Sequence, residues 1–302
     1  MQIRRIFLCL IAVFSFSGLA LAQSGGGDSI DTPEPTEPSA LTMQTGDLSL
    51  LPRGTMRFNW GSSFGSDFCQ PYTGLCGDLW RHGIVRMNLG IAGNLNLQID
   101  GAVYQQLDID AANSIPLTGA PASGDTHDIG DFSIAMLWRT LREKTGGRPA
   151  IGFKIGVKLP NTNEKKGIGI NTTDFFASSM VTKHWGDRAT FMADVGFAIL
   201  AQPQSGVSQN DVITYGLAGS FKLTDRFRIW SEIAGRAATG GGRMPGTEDR
   251  GNATLGFLWG GKGGWHAELT GSHGLNTSDP NWTVGLAFSV QGRVLKRLHR
   301  DN

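Results

Sequence analysis

The stretch Thr190-Phe191-Met192-Ala193-Asp194-Val195-Gly196-Phe197-Ala198-Ile199-Leu200 alternates with period two. Phe191, Ala193, Val195, Phe197 and Ile199 fall on one face, and Thr190, Asp194, Gly196 and Ala198 on the other. Successive side chains of an extended strand point to opposite faces, so this segment is a strand with one aliphatic side and one small or polar side. Its neighbours repeat the pattern. Ile213, Tyr215, Leu217 and Phe221 oppose Thr214, Gly216, Ala218, Ser220 and Lys222, while Ile151, Phe153, Ile155, Val157 and Leu159 oppose Gly152, Lys154, Gly156 and Lys158.

The same test along the chain predicts twelve strands, near residues 53–61, 82–92, 95–106, 129–141, 149–160, 173–185, 188–201, 211–222, 226–237, 250–259, 264–273 and 281–290. Their length suits a tilted strand of ~9–11 residues crossing a bilayer. The connections are independent information. Gly93-Asn94, Gly186-Asp187, Thr224-Asp225 and Gly260 to Gly263 are tight turns, and Arg142 to Arg148 is slightly longer. Between them fall the long connections Ser62 to Arg81, Leu107 to Asp128, Asn161 to Thr172, Gln202 to Asn210, Ala238 to Asp249 and Gly274 to Pro280. Alternating long and short connections, an even strand number and both termini at the periplasmic end describe an antiparallel up-and-down transmembrane β-barrel.

Composition agrees. Glycine makes up 43 of the 302 residues, about twice the ordinary share of ~7%, which disfavours long helices. The 40% apolar content excludes a wholly disordered chain. The first residues explain how such a chain would reach a membrane. Arg4 and Arg5, the apolar run Ile6 to Phe16 and Ala20-Leu21-Ala22 make residues 1–22 a secretory signal peptide, too short in its apolar part to span a bilayer. Without Arg4 and Arg5, 25 of the 27 basic residues remain against 26 acidic ones, which gives no reason to expect nucleic acid as a partner. Residues 23–42, rich in Gly, Ser, Pro and Thr, read as a disordered periplasmic leader, a plain tether or a dock for a periplasmic partner. Residues 43–290 are then the barrel. Residues 291–302, with Arg293, Lys296, Arg297, His299 and Arg300, form a basic periplasmic tail, either solvated or touching anionic lipid. Cys69 and Cys76 survive signal removal as an even pair around a Pro- and Gly-containing turn, and in an oxidising compartment they are expected to form a disulfide. No metal or cofactor motif is present in the sequence.

Period alone does not say which face looks outward, since a soluble sandwich would bury its aliphatic faces and wet the polar ones. The tryptophans Trp60, Trp138, Trp185, Trp259, Trp265 and Trp282 end aliphatic faces, as interfacial girdles do. The aliphatic face is therefore expected to meet lipid, and the small and polar face to line a crowded lumen. That lumen receives Arg57, Arg86, Arg139, Lys154, Lys158, Lys222, Arg228 and Arg236 against Asp100, Asp194, Glu232 and Glu268, with His184, His266, Asn88, Asn96 and Gln98 as hydrogen-bonding groups. Two roles stay open for Arg86, Asp100, Lys154, Lys158, Asp194, Arg228, Glu232, His266 and Glu268. The excess of cations favours anions in a narrow pore; equally, the charges pair across the lumen and hold it shut, because buried charges need partners.

The last strand, Thr283-Val284-Gly285-Leu286-Ala287-Phe288-Ser289-Val290, looks like the closing-strand signal of bacterial outer-membrane proteins, which implies the barrel-assembly machinery as a partner, although Gln291 to Asn302 follow it. From Pro149 to Leu200 the chain resembles the outer-membrane transporter family named for the meta-cleavage pathway of phenol degradation. The resemblance is carried by the glycine-alternating strand ending in Gly156-Val157-Lys158-Leu159-Pro160, by Asn171-Thr172-Thr173-Asp174-Phe175 and by the Gly186-Asp187 turn. It implies a barrel that admits aromatic compounds.

The expected function is a passive outer-membrane channel for small solutes, aromatic or anionic, surrounded by outer-membrane lipid. The alternative is a closed structural or adhesive barrel whose external loops bind a partner. A hydrolase would need a nucleophile, base and acid from Ser272, His273, His266 and Glu268. Adjacent Ser and His point to opposite faces of a strand, and the residues expected of outer-membrane phospholipases or omptin-like proteases are not recognisable, so no catalysis is expected.

Overall fold

A computed structural model describes residues 40–112, 119–201, 210–239, 246–261 and 264–294. The elements are β1 (Thr55–Cys69), β2 (Leu75–Ala92), β3 (Leu95–Ala112), β4 (Gly124–Asp128), β5 (Ser133–Leu141), β6 (Ala150–Lys158), β7 (Asp174–Trp185), β8 (Ala189–Leu200), β9 (Asn210–Lys222), β10 (Phe227–Ala238), β11 (Arg250–Gly261), β12 (Trp265–Gly274) and β13 (Trp282–Arg293). One short 3-10 turn, Glu164–Lys166, interrupts the β6–β7 loop.

All pairings are antiparallel, and β1 hydrogen-bonds to β2 on one side and to β13 on the other, from Thr55↔Arg293 to Ser66↔Trp282. The sheet therefore closes on itself and leaves no free edge. Twelve strands make the ring. β4 is an extra: the lower part of β3 pairs with β5, from Leu95↔Trp138 to Asp100↔Ser133, and its upper part pairs with β4, from Gln105↔Asp128 to Ile109↔Gly124.

All twelve expected strands are present, but the first three are longer than the alternation suggests. β1 and β2 rise to a turn at Gln70 to Gly74, so Ser62 to Arg81 is mostly strand and the first connection is short. β3 likewise runs to Ala112, inside the expected loop Leu107 to Asp128, whose far end returns as β4. Above the bilayer the outward face no longer has to be apolar, so backbone pairing continues after the period-two contrast has faded. Trp60 accordingly lies within β1, opposite Val85 and Phe288, and not at the strand's end.

The orientation of the faces follows the expectation. Phe153, Ile155, Val195, Phe197, Leu217 and Phe221 are exposed on the outside, whereas Arg57, Asn59, Arg139, Thr182, Glu232 and Glu268 are buried within. At the end with the short turns, aromatic rings meet edge-on or stacked between neighbouring strands: Trp185 on Phe191, Phe227 on Trp259, Trp259 on Trp265 and Trp265 on Phe288. At the loop end Phe64 sits between Trp80 and Trp282. These are the two girdles of a membrane barrel. Cys69 and Cys76 face each other across the β1–β2 pair and are joined as a disulfide.

The lumen is not empty. Residues 40–54 precede β1 without regular secondary structure, and Ala40, Leu41, Met43, Leu48, Leu50 and Leu51 are buried inside the ring. The last residues of the expected leader, Ala40, Leu41 and Thr42, thus belong to this inner segment, and β1 starts only at Thr55. Residues 1–39 and 295–302, which hold the expected signal peptide, most of the leader and most of the basic tail, lie outside the described residues; β13 itself continues to Arg293.

Candidate channel lumen and its inner segment

Parity decides what reaches the lumen. On β10 the inward residues are Arg228, Trp230, Glu232, Ala234 and Arg236, and on β8 they include Thr190, Met192 and Asp194. Three carboxylates on alternate strands, Asp194 of β8, Glu232 of β10 and Glu268 of β12, receive the backbone N–H groups of the inner segment one after another. Gly46 donates to Asp194 at 2.7 Å, Thr45 and Gln44 to Glu232 at 2.6 and 3.0 Å, and Leu41 to Glu268 at 2.7 Å, where the Thr42 hydroxyl adds a bond of 2.6 Å. On the opposite wall Arg86 of β2 donates to the carbonyls of Met43 at 2.9 Å and Ala40 at 3.2 Å, and Arg139 of β5 to that of Leu48 at 3.3 Å. Leu48 N–H donates to the Thr182 hydroxyl at 3.0 Å. Carboxylates thus take the segment's donors and guanidiniums its acceptors, and charge-assisted bonds of this kind are roughly twice as strong as neutral ones.

Apolar contacts complete the seat. Ala40 and Met43 pack with Met192, Ala218, Trp230 and Leu258, while Leu48 and Leu50 pack with Ala135, Leu137, Ala150 and Met180. Lumen glycines make room for it. A Cβ at Gly90 would collide with the carbonyl oxygens of Leu51 and Pro52, and one at Gly216 would press on the Thr45 hydroxyl at 2.5 Å.

All nine lumen residues expected from the sequence point inward, but they do not form one cluster. Arg86 pairs with Asp100 at 3.4 Å, and Ser133 donates to Asp100 at 2.8 Å. Lys154 lies 5.6 Å from the centre of the Phe176 ring. Lys158 stands higher, bridging Asp131 at 3.0 Å and Asp174 at 2.9 Å. Arg228 donates to Ser220 at 2.9 Å near the turn end, where His266 is also buried. Glu268 serves the inner segment, and His273 points outward with Nδ1 against the Asn281 carbonyl, so Ser272, His273, His266 and Glu268 are not drawn into a triad.

Above the segment, at the loop end, lie two adjoining cavities of about 520 and 500 Å³ that share Arg81, Gln105, Ile168, Arg236 and Arg250 as walls. Beside the segment lies a small cavity of about 40 Å³, between its residues 43–51 and Arg57, Arg86, Asn88, Asn96 and Lys154. The vestibule therefore opens beside the inner segment, whose residues Leu41, Gln44 and Thr45 form part of its wall. Sequence reasoning missed Arg81, which falls just before the expected second strand, and it missed Asp131, Asp174 and Asp279, which face the vestibule from loops and a strand start. It also missed Arg250 and Trp230, although parity along β11 and β10 points both inward. The lumen charge tally accordingly gains two cations and three acids.

At the turn end, outside the membrane, Glu143 accepts from Lys183 at 2.8 Å and from His184 Nδ1 at 2.6 Å. Burial pushes its carboxyl up, but these hydrogen bonds outweigh burial and hold it below the usual carboxylate range.

A closed ring of twelve strands with an apolar outer belt, aromatic girdles and a polar interior has the architecture of an outer-membrane β-barrel. By its sequence, the chain belongs to the family described as "Putative MetA-pathway of phenol degradation", whose model matches residues 74–291. Among solved structures it is similar to the COG4313 outer membrane channel from Pseudomonas putida F1, at 12% identity and a TM-score of 0.57, covering 83% of this chain and all of that one. A weaker likeness, with a TM-score of 0.49 and 7% identity over 78% of this chain and 98% of that one, is to the NanC porin. No curated protein matches the sequence.

Proposed function

We propose that the protein is an outer-membrane channel for the passive uptake of small solutes, with aromatic and anionic compounds as its substrates. The observation that carries this is the vestibule, two adjoining cavities of about 520 and 500 Å³ beside the chain's own inner segment. A barrel serving only as a scaffold has no need of a chamber walled by Arg81, Arg86, Lys154, Lys158, Arg236 and Arg250 together with acidic and apolar side chains. The name of the similar Pseudomonas putida channel supports the same class. In this reading the loop end faces outside, the termini are periplasmic and the closing strand is the segment read by the barrel-assembly machinery.

Single-channel conductance of the refolded mature chain in a planar bilayer, with and without benzoate, tests it. Small conductance blocked by benzoate is expected, and neutralising Lys154 and Lys158 should shift ion selectivity away from anions. A folded barrel that stays silent in the presence of a gradient refutes the channel. The seating of the inner segment on Asp194, Glu232 and Glu268 inside the ring favours a second reading, a closed barrel whose external loops bind a partner. Loop deletion separates the two, since an adhesin loses binding while a pore with trimmed loops conducts more.

A further inference from the structure

Arg236 of β10 and Arg250 of β11 are direct cross-strand partners, and both line the vestibule. Their Cβ atoms are thus only about 5 Å apart, and like charges directly opposite one another destabilise a sheet. Among the described residues no carboxylate reaches either guanidinium at ion-pair distance. The nearby acids are turned to other donors. Glu248 accepts from Gly246 N–H at 2.8 Å, Asp279 from Gly251 N–H at 2.8 Å, and Asp174 pairs with Lys158 at 2.9 Å. Arg236 donates instead to the Gly246 carbonyl at 2.7 Å, and Arg250 to the Cys69 carbonyl at 3.4 Å. Arg81 enters the same cavities from β2, and the Nε–H groups of Arg81 and Arg250 are buried with no hydrogen-bond acceptor among the described residues.

Three guanidiniums converge here with no carboxylate at ion-pair distance among the described residues, at the junction of two cavities that also hold Asp174 and Asp279 on their walls. Buried cations left in this state call for an anion. The planar fork of arginine matches a carboxylate with two parallel N–H donors. The wall beside them is apolar: Phe68, Leu79 and Ile168 pack together, and the Arg250 guanidinium lies 5.6 Å from the centre of the Phe68 ring. Such a surface takes a flat apolar body and disfavours a strongly hydrated ion, which would lose its own hydration against Phe68 without gaining hydrogen bonds in return.

We propose that Arg81, Arg236 and Arg250 form a carboxylate-binding subsite of the vestibule, which captures small aromatic acids with the ring against Phe68, Leu79 and Ile168. The subsite rests on the channel reading for its purpose, but its occupancy is an equilibrium property and can be measured without flux.

Calorimetric titration of the refolded mature protein in detergent with benzoate, benzyl alcohol and inorganic phosphate tests it, with heat-modifiable gel migration reporting an intact barrel. Benzoate is expected to bind at least about tenfold tighter than either of the others, and Arg81→Gln and Arg250→Gln each to weaken benzoate about tenfold or more while leaving benzyl alcohol unchanged. Arg250→Lys, which keeps the charge and the fold but loses the planar fork, should fall between. Benzoate bound no tighter than benzyl alcohol overturns the carboxylate site, and phosphate bound as tightly as benzoate overturns the aromatic specificity. Unchanged benzoate affinity in folded Arg250→Lys and Arg81→Gln overturns the assignment of residues. A bilayer that stays silent while benzoate binding persists counts against the channel alone; conductance without benzoate binding counts against the subsite alone.

Discussion

Glu232→Ala should loosen the inner segment from the lumen, and the structure sets the size of the effect. Glu232 is the acceptor for two backbone donors, Thr45 N–H at 2.6 Å and Gln44 N–H at 3.0 Å, in a buried setting. Leaving a buried donor without its acceptor costs about 1–3 kcal/mol. Two donors therefore amount to roughly 2–6 kcal/mol, and at 1.4 kcal/mol per decade the released fraction rises about 30-fold to 10⁴-fold. Apolar burial of Leu41, Met43, Leu48, Leu50 and Leu51 still favours the seated state, at about 1.5–3 kcal/mol for each fully buried side chain, so release should be transient. The reporter is Leu48→Cys, a position that is 1% exposed. Because Cys69 and Cys76 are joined as a disulfide, the new thiol is alone in the mature chain. Its rate of modification by a water-soluble maleimide, measured in the refolded barrel with and without Glu232→Ala, reads the released fraction directly. The cavity left by the cysteine is common to both backgrounds and cancels. A rate ratio near one, with the barrel folded in both, would refute the view that the carboxylates hold the segment.

Gly90→Ala should act on the same segment from the other side, since its Cβ would meet the backbone carbonyls of Leu51 and Pro52. Overpacking of this kind costs about 1–3 kcal/mol and is expected as a lower thermal midpoint of the heat-modifiable gel shift, with Gly219→Ala, where only the Thr190 carbonyl comes near at 3.9 Å, as an unaffected control. The Glu143 turn should be pH-sensitive in one direction. Its carboxyl is held below its ordinary value of 4.5 in the fold, so its contribution is present above that value and is lost as pH falls through the lower folded value. Protection of residues 142–149 against hydrogen exchange, corrected for the intrinsic pH dependence of the rate, is expected to fall at acid pH in the parent protein and to be already low, and independent of pH across that range, in Glu143→Gln.

The barrel was legible because lipid and lumen impose opposite chemistry on alternate residues for the whole thickness of the membrane. Strands such as Thr190 to Leu200 carry that demand along most of their length, Met192 excepted, which is why all twelve were recognisable. Where the demand stops, legibility stops too. β1, β2 and β3 continue past the bilayer on backbone pairing alone, so Ser62 to Arg81 reads as loop although most of it is strand. The site was half legible for the same reason. Parity places Arg86, Lys154, Asp194, Glu232 and Glu268 inside, but a list of inward charges does not say what each one faces.

Local order along the chain is enough for the strand count, the identity of the lumen face and the pairing of Cys69 with Cys76. Long-range contacts alone reveal that Ala40 to Leu51 sit inside the ring, that Asp194, Glu232 and Glu268 serve this segment, and that Arg236, Arg250 and Arg81 line the same cavities. Those partners are separated by up to 227 positions in the chain, as Leu41 and Glu268 are. Closure of the ring brings them together, and no periodicity records a contact made across its interior.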